Sequence, residues 1–141
     1  MLRFKASTYA VLAMYEIARE QKGVPNPPGV RAADIARKYK LPKAYTAKIL
    51  SQLAANGLLH SDRGPRGGYR LIKSPEKLTL HDVFDGVGGL ATDKMDASSV
   101  GGLPPSVDAA LRRARQDTVA ALKTLFKKTS LADIMGKTAR S

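Results

Sequence analysis

Eight consecutive residues, Arg63-Gly64-Pro65-Arg66-Gly67-Gly68-Tyr69-Arg70, restrict this chain more than any other stretch. Leu58 to Ser61 before them and Tyr69 to Lys73 at their end read as two short strands. The glycines permit a tight turn between those strands and a close backbone approach, so the whole predicts a β hairpin. Alternation along the second strand turns Tyr69 and Leu71 inward, which makes Tyr69 a core residue rather than a base stacker. Arg63, Arg66 and Arg70 then share one thin loop, and guanidinium is the side chain best matched to phosphates and narrow minor grooves.

A pair of helices leads into this hairpin. Tyr9, Ala10, Ala13, Met14 and Ile17 recur at helical spacing with Glu16, Arg19 and Glu20 turned elsewhere, predicting an amphipathic first helix over residues 6–22. Gly23 and the prolines of Val24-Pro25-Asn26-Pro27-Pro28-Gly29 end it in a stiff surface loop. A short second helix follows over Ala32 to Tyr39, and Lys40-Leu41-Pro42 breaks the chain again. Pro42 fits the first turn of a third helix running to about Asn56, where Gly57 supplies a left-handed stop. Ile49, Leu50 and Leu53 fall on its inner side, leaving Lys43, Ala44, Ala47, Lys48 and Ser51 free to face a DNA groove. Two helices joined by few residues, then a basic hairpin, predict a mainly α chain with a small β wing: a winged helix-turn-helix.

Beyond the hairpin, Thr79 with Asp82 three positions later suits the capping of a short helix through Val83 and Phe84, ended near Gly86. Residues 86–105 lose periodicity and close on Gly101-Gly102-Leu103-Pro104-Pro105, as a mobile linker would. Its glycines at 86, 88 and 89 follow no strand and precede no Gly-Lys-Ser/Thr, so they make no phosphate loop. Ser106 is placed to cap a long final helix ending at Lys127 and Lys128. Val107, Leu111, Ala114, Thr118, Ala121 and Leu125 form an apolar stripe along it, widened by Ala110, Leu122 and Phe126, and such a stripe wants a partner surface. Ser130 to Met135 has the length of one or two further turns, with Gly136 to Ser141 expected to fray. The resulting division is a DNA-binding domain at 1–85, a linker at 86–105, and at 106–135 the long striped helix, which the resemblance set out below makes a dimerisation helix, with a short C-terminal helix.

The charge agrees with the motif. Lys and Arg total 24 against 12 Asp and Glu, and the first 80 residues hold 15 of the basic and 5 of the acidic side chains. A field so placed suits a polyanion and argues against a metabolic enzyme. His60 and His81 have no accompanying nucleophile, so no catalytic set is expected. The absence of cysteine excludes disulfides and thiolate-held metal clusters, and no cofactor is expected. Asp93 and Asp96 read as solvated loop acids, too few for a cation site. No apolar run is long enough to span a membrane and Glu16, Arg19 and Glu20 interrupt any leader, so a cytoplasmic chain is expected.

Candidate contacts follow from these placements. Arg63 and Arg66, with Gly67 and Gly68 behind them, belong to the wing tip on a minor groove or its phosphates. Lys43 and Lys48 on the third helix reach phosphates or guanine edges, and Tyr45 can donate to a phosphate. Arg3 and Lys5, ahead of the first helix, are backbone-contact candidates. A different class of protein fits the same charges: a basic structural or RNA-binding winged helix that reads no sequence.

Several segments in order resemble one known family. Ser7-Thr8-Tyr9-Ala10, the helix pair from Asp34-Ile35-Ala36 through Tyr45 and Ile49-Leu50, Asn56-Gly57-Leu58-Leu59, the wing from Arg63 to Leu71, and Leu78-Thr79-Leu80-His81-Asp82-Val83 are similar to the IscR/CymR-type (Rrf) bacterial winged-helix transcription regulators. The resemblance implies a homodimeric repressor whose long C-terminal helix, here about 106–128, crosses its twin, each protomer reading half of a palindromic operator. It implies that Arg63 enters a minor groove and that Tyr45 is the tyrosine of the recognition helix. Ala47 stands where some members present a glutamate to bases, and its small side chain suits a thymine methyl instead. Cluster-binding members carry three cysteines in the linker and this chain has none, so any signal reaching residues 86–105 would come from another small molecule or a protein.

Overall fold

In the computed structural model, which describes residues 4–65, 67–89 and 101–140, the first helix, α1 (Phe4–Gln21), is the element on which the others assemble. Ala10, Ala13, Met14 and Ile17, the stripe expected to face inward, are fully buried. Onto α1 pack α3 (Lys43–Ala55), α4 (Leu80–Gly86), α6 (Leu131–Arg140) and the second strand of the hairpin. Between α1 and α3 in sequence, α2 (Ala32–Tyr39) packs on α3 and contributes Ile35 and Ala36 to the interior. With the long α5 (Pro105–Lys127), the element order is that of a mainly helical winged helix-turn-helix carrying one small sheet.

Being covered from several directions, α1 buries more than an amphipathic stripe. Ala18 is enclosed, and so is Glu16, which the helical pattern assigns to the solvent side. The carboxylate is tolerated because it is surrounded by donors: Arg19 from its own helix, and Lys38 Nζ at 2.8 Å and Tyr39 Oη at 2.8 Å from α2. Burial alone would raise the Glu16 pKa, yet hydrogen bonds from Arg19, Lys38 and Tyr39 together bring it below the ordinary value. Tyr39 moves the opposite way, pushed up to about 12 by burial and by its bond to Glu16. This polar cluster joins α1 to α2 beside the apolar core that Ile35 enters.

The turn from α2 to α3 is closed by Lys40 in the left-handed conformation (φ 55°), with the amides of Lys40 and Leu41 both donating to Ala36 O. Thr46, Ile49, Leu50 and Leu53 of α3 are buried, and Gly57 ends that helix at φ 82° as its position suggests. Asn56 Nδ2 ties this end to α4 through Gly86 O at 2.9 Å. Thr79 and Asp82 form the expected capping box, each side chain accepting from the other residue's amide. Val87 and Gly89, at the head of the expected linker, are buried against the core, and residues 90–100, with Asp93 and Asp96, lie outside the described residues.

Two expectations about the C-terminal part change. Pro104 rather than Ser106 is the N-cap of α5, with Pro105 at the first helical position where a missing amide costs nothing. The last helix, α6, continues through Gly136 to Arg140 rather than fraying there. Its Leu131 is fully buried in the same core as Met14 and Leu50, Leu131 N donates to Leu78 O at 2.7 Å, and Leu80 N donates to Thr129 O at 3.0 Å. Ser130 and Asp133 cap it reciprocally. The chain thus returns after α5 to seal the first domain. By contrast α5 buries no residue, and Phe126 stacked at 4.7 Å on Phe84 is its ring contact with the rest.

Candidate nucleic-acid interface

The wing consists of β1 (Leu59–Asp62) and β2 (Gly68–Leu71), antiparallel, with Leu59 opposite Leu71 and Asp62 opposite Gly68. The first strand keeps its expected length but lies one residue later, the second begins one residue earlier and ends two earlier, and the turn between them shortens to residues 63–67. Tyr69 and Leu71 do pack toward the core. What the sequence hides is a third backbone pairing: Val30, at the end of the proline-rich loop, bonds Tyr69 in both directions at 2.9 and 2.8 Å. A one-residue strand has no periodicity by which to be recognised. Gln21 completes the fixation, its amide donating to Tyr69 O and accepting from Leu71 N.

The glycines of the wing serve this packing. Gly68 has φ 130°, and a Cβ there would lie 2.7 Å from the backbone of Gly29 and Val30. Gly67 is buried, and its Cβ would lie 2.7 Å from Gly64 O. These two glycines thus let the wing pack closely on the chain's own backbone and shape it from inside. Arg66 lies outside the described residues, as does Arg3.

The three-guanidinium grip also changes. Arg63 is exposed beside the tip, but Arg70 is half-buried and its Nε donates across the strands to Asp62 Oδ2 at 2.5 Å. That hydrogen bond holds the Asp62 carboxyl below its ordinary pKa and raises Arg70. Its charge is therefore matched locally, and Arg70 acts as a cross-strand brace. Arg31, which no local pattern marks out, reaches the tip instead: its Nη2 donates to Pro65 O at 3.3 Å.

On α3 the residues expected outside are outside. Lys43, Ala44, Ala47, Lys48 and Ser51 are exposed at successive helical spacing, opposite the buried Thr46, Ile49, Leu50 and Leu53. At the C-terminal end of that stripe, Ser51 Oγ stands 3.5 Å from Tyr69 Oη of the wing. At its N-terminal end, Tyr45 is half-buried with its ring edge-on to Tyr9 at 5.2 Å, and Lys5 Nζ lies 5.4 Å from the ring centroid. Tyr45 thereby fixes the start of α3 to α1 and gathers Lys5 to the same end. One outward surface runs from Lys5 along α3 to the wing.

The stripe on α5 is solvent-facing. Val107, Leu111, Ala114, Thr118, Ala121 and Leu125 are all exposed, Leu125 at 57%, whereas Leu122 and Phe126 are half-buried and Phe126 is used within the chain. Among the described residues no helix is long and apolar enough to cross a membrane, and no group of His, Cys, Asp and Glu converges as a metal site would.

Comparisons with known proteins accord with this architecture. An HTH-type transcriptional regulator of Mycobacterium tuberculosis is 30% identical over 129 residues, 91% of this chain and 77% of its own. IscR of Escherichia coli, also an HTH-type transcriptional regulator, is 35% identical over 79 residues, 56% of this chain and 46% of its own. The chain thus spans about half the length of several curated relatives that it matches. The solved structure of CymR, the global cysteine regulator of B. subtilis, superposes with a TM-score of 0.69 at 25% identity over 97% of this chain and 98% of that one. Residues 4–137 match the family Rrf2, described as iron-dependent transcriptional regulator. With a winged helix-turn-helix fold and a match over nearly its whole length, the chain belongs to the Rrf2 family of transcription regulators.

Proposed function

We propose that this regulator is a homodimeric repressor that binds a palindromic operator, each protomer laying α3 in a major groove and its wing on the adjacent minor groove. The observation that carries the reading is the Ser51–Tyr69 approach, which joins the outward stripe of α3 to the wing in one surface. A single helix fits the width of a major groove, and a cationic finger beside it suits the narrower one. In this arrangement Lys43, Ala44, Ala47 and Lys48 meet the major groove, Tyr45 adds its hydroxyl, Arg63 and Arg66 take the minor groove, and Arg3 and Lys5 take phosphates. Ala47 offers a methyl group and so favours thymine over a hydrogen-bonding edge.

Dimerisation is supported by α5, where Val107, Leu111 and Leu125 are 42%, 44% and 57% exposed on one stripe beside small residues. Crossing two such helices removes that surface from water and repeats the reading surface about a twofold axis. A dimer so seated covers its operator and repression follows from occlusion. The chain has no thiolates, so its output does not depend on a cysteine-ligated iron–sulfur group.

Selection of bound duplexes from a random pool, followed by competition at physiological salt, tests the reading. A palindromic product preferred over random duplex and over structured RNA is expected. Equal affinity for all three would defeat the operator reading and favour a basic winged helix that reads no sequence.

A further inference from the structure

We propose that Arg31 is a DNA contact of this surface, donating to a backbone phosphate beside the wing tip. The inference rests on the reading that duplex DNA lies across α3 and the wing. Arg31 directly follows Val30, whose amide and carbonyl are both bonded to Tyr69, and Gly29 lies too close to Gly68 for either to carry a Cβ. The backbone of Arg31 is therefore locked to β2, although 34 residues separate Arg31 from Pro65 in the sequence. Its side chain is exposed and reaches along the hairpin to the tip.

The partner at the tip matters as much as the position. Arg19, Arg37, Arg70 and Arg112 each bond a carboxylate, so the charge of each is matched. Arg31 bonds a carbonyl oxygen. That bond orients the guanidinium without cancelling its charge, and it uses one of five N–H donors. An oriented, unmatched guanidinium at Pro65, two residues along the chain from the exposed Arg63, loses little further freedom on meeting a phosphate, and planar donors suit that group. Because Arg31 sits on the loop flanking the wing and not on α3, it reads backbone and not base. Its contribution is thus the same for every sequence.

The test uses the full chain and two variants. R31Q keeps an N–H donor for Pro65 O and loses the charge; R31K keeps the charge. Affinities are measured for the selected palindrome and for a random duplex between about 50 and 200 mM salt. R31Q is expected to weaken both duplexes about tenfold and to reduce the salt dependence by about one counterion per protomer, with R31K restoring the slope. R31Q binding both duplexes with wild-type affinity and slope would overturn the proposal. So would an affinity loss at unchanged slope that R31K fails to restore, which makes Arg31 a brace of the wing alone. If wild-type protein binds the two duplexes equally, the operator reading fails, while the slopes on random DNA still decide the role of Arg31.

Discussion

Gly68→Ala asks whether the position of the wing is set by the loop between α1 and α2. The added Cβ would stand 2.7 Å from Gly29 C, Val30 C and Val30 O, all of them backbone atoms with no flexible end to yield. The loop and β2 must then part, and the two Val30–Tyr69 hydrogen bonds go with them. At about 1 kcal/mol net for each bond, with a further 1–2 kcal/mol or so for an L side chain at φ 130°, the loss comes to about 3–4 kcal/mol. Gly64→Ala is the control, since φ 97° is equally unsuited to alanine but nothing lies within 4 Å. It should cost only the conformational part, about 1–2 kcal/mol. Urea unfolding of the three proteins gives the stabilities, and operator titration under conditions where all are folded gives the affinities. Gly68→Ala should be the less stable variant by about 2 kcal/mol and should bind more weakly than wild type. If it loses no more stability than Gly64→Ala, the loop does not anchor the wing and the reasoning fails.

Arg63→Ala should weaken operator binding by about 1–3 kcal/mol while leaving the urea midpoint in place, and unchanged affinity would remove that residue from the interface. Because Glu16 has a folded pKa below its ordinary value, its stabilisation is complete above the unfolded pKa of about 4.3 and is lost as pH falls through the folded one. Glu16→Gln should therefore cost stability at neutral pH and flatten the decline below about pH 4.5, and parallel acid limbs in the two proteins would contradict this. Leu111→Asp with Leu125→Asp should shift the sedimenting mass from dimer to monomer without loss of cooperative unfolding, and a persistent dimer would exclude the α5 stripe. Anaerobic incubation with iron and sulfide should give no visible absorption, and a stoichiometric coloured cluster would refute the argument from absent thiolates.

The parts of this fold that are legible in the sequence are those carried by local chemistry. The stripe Ala10, Ala13, Met14 and Ile17, the stop at Gly57 and the reciprocal cap of Thr79 and Asp82 each depend on residues within a turn or two of one another. The outward face of α3 follows from the same periodicity. What escapes is what depends on distant partners. Glu16 reads as a surface acid until Lys38 and Tyr39 are brought against it, 22 and 23 residues away. Arg70 reads as a free cation until the register of the hairpin gives it Asp62. Arg31, Val30 and Gln21 carry no pattern at all, since each is defined by what β2 presents to it. Leu131 shows a short apolar run too brief to declare which core it joins.

The distant contacts of Glu16 and Gln21 meet on α1, and this bears on the proposed mode of DNA binding. Near its start, Tyr9 meets Tyr45 and so fixes the beginning of α3; at its last residue, Gln21 holds both polar groups of the β2 edge. A helix of 18 residues, about 27 Å long, is far stiffer than the turn joining α2 to α3 or the loop before α2. The separation between α3 and the wing is therefore held by α1 as well as by the short junction Asn56 to Leu58 that joins them in sequence. In the dimer proposed above, each half-site is met by a reading head of fixed internal spacing, and the variable left to the molecule is the distance between the two heads. That distance is governed by α5, whose ring contact with the head is Phe126 on Phe84 and along which no residue is buried. In that proposed dimer, specificity for the half-site and control of half-site spacing reside in different parts of the same short chain.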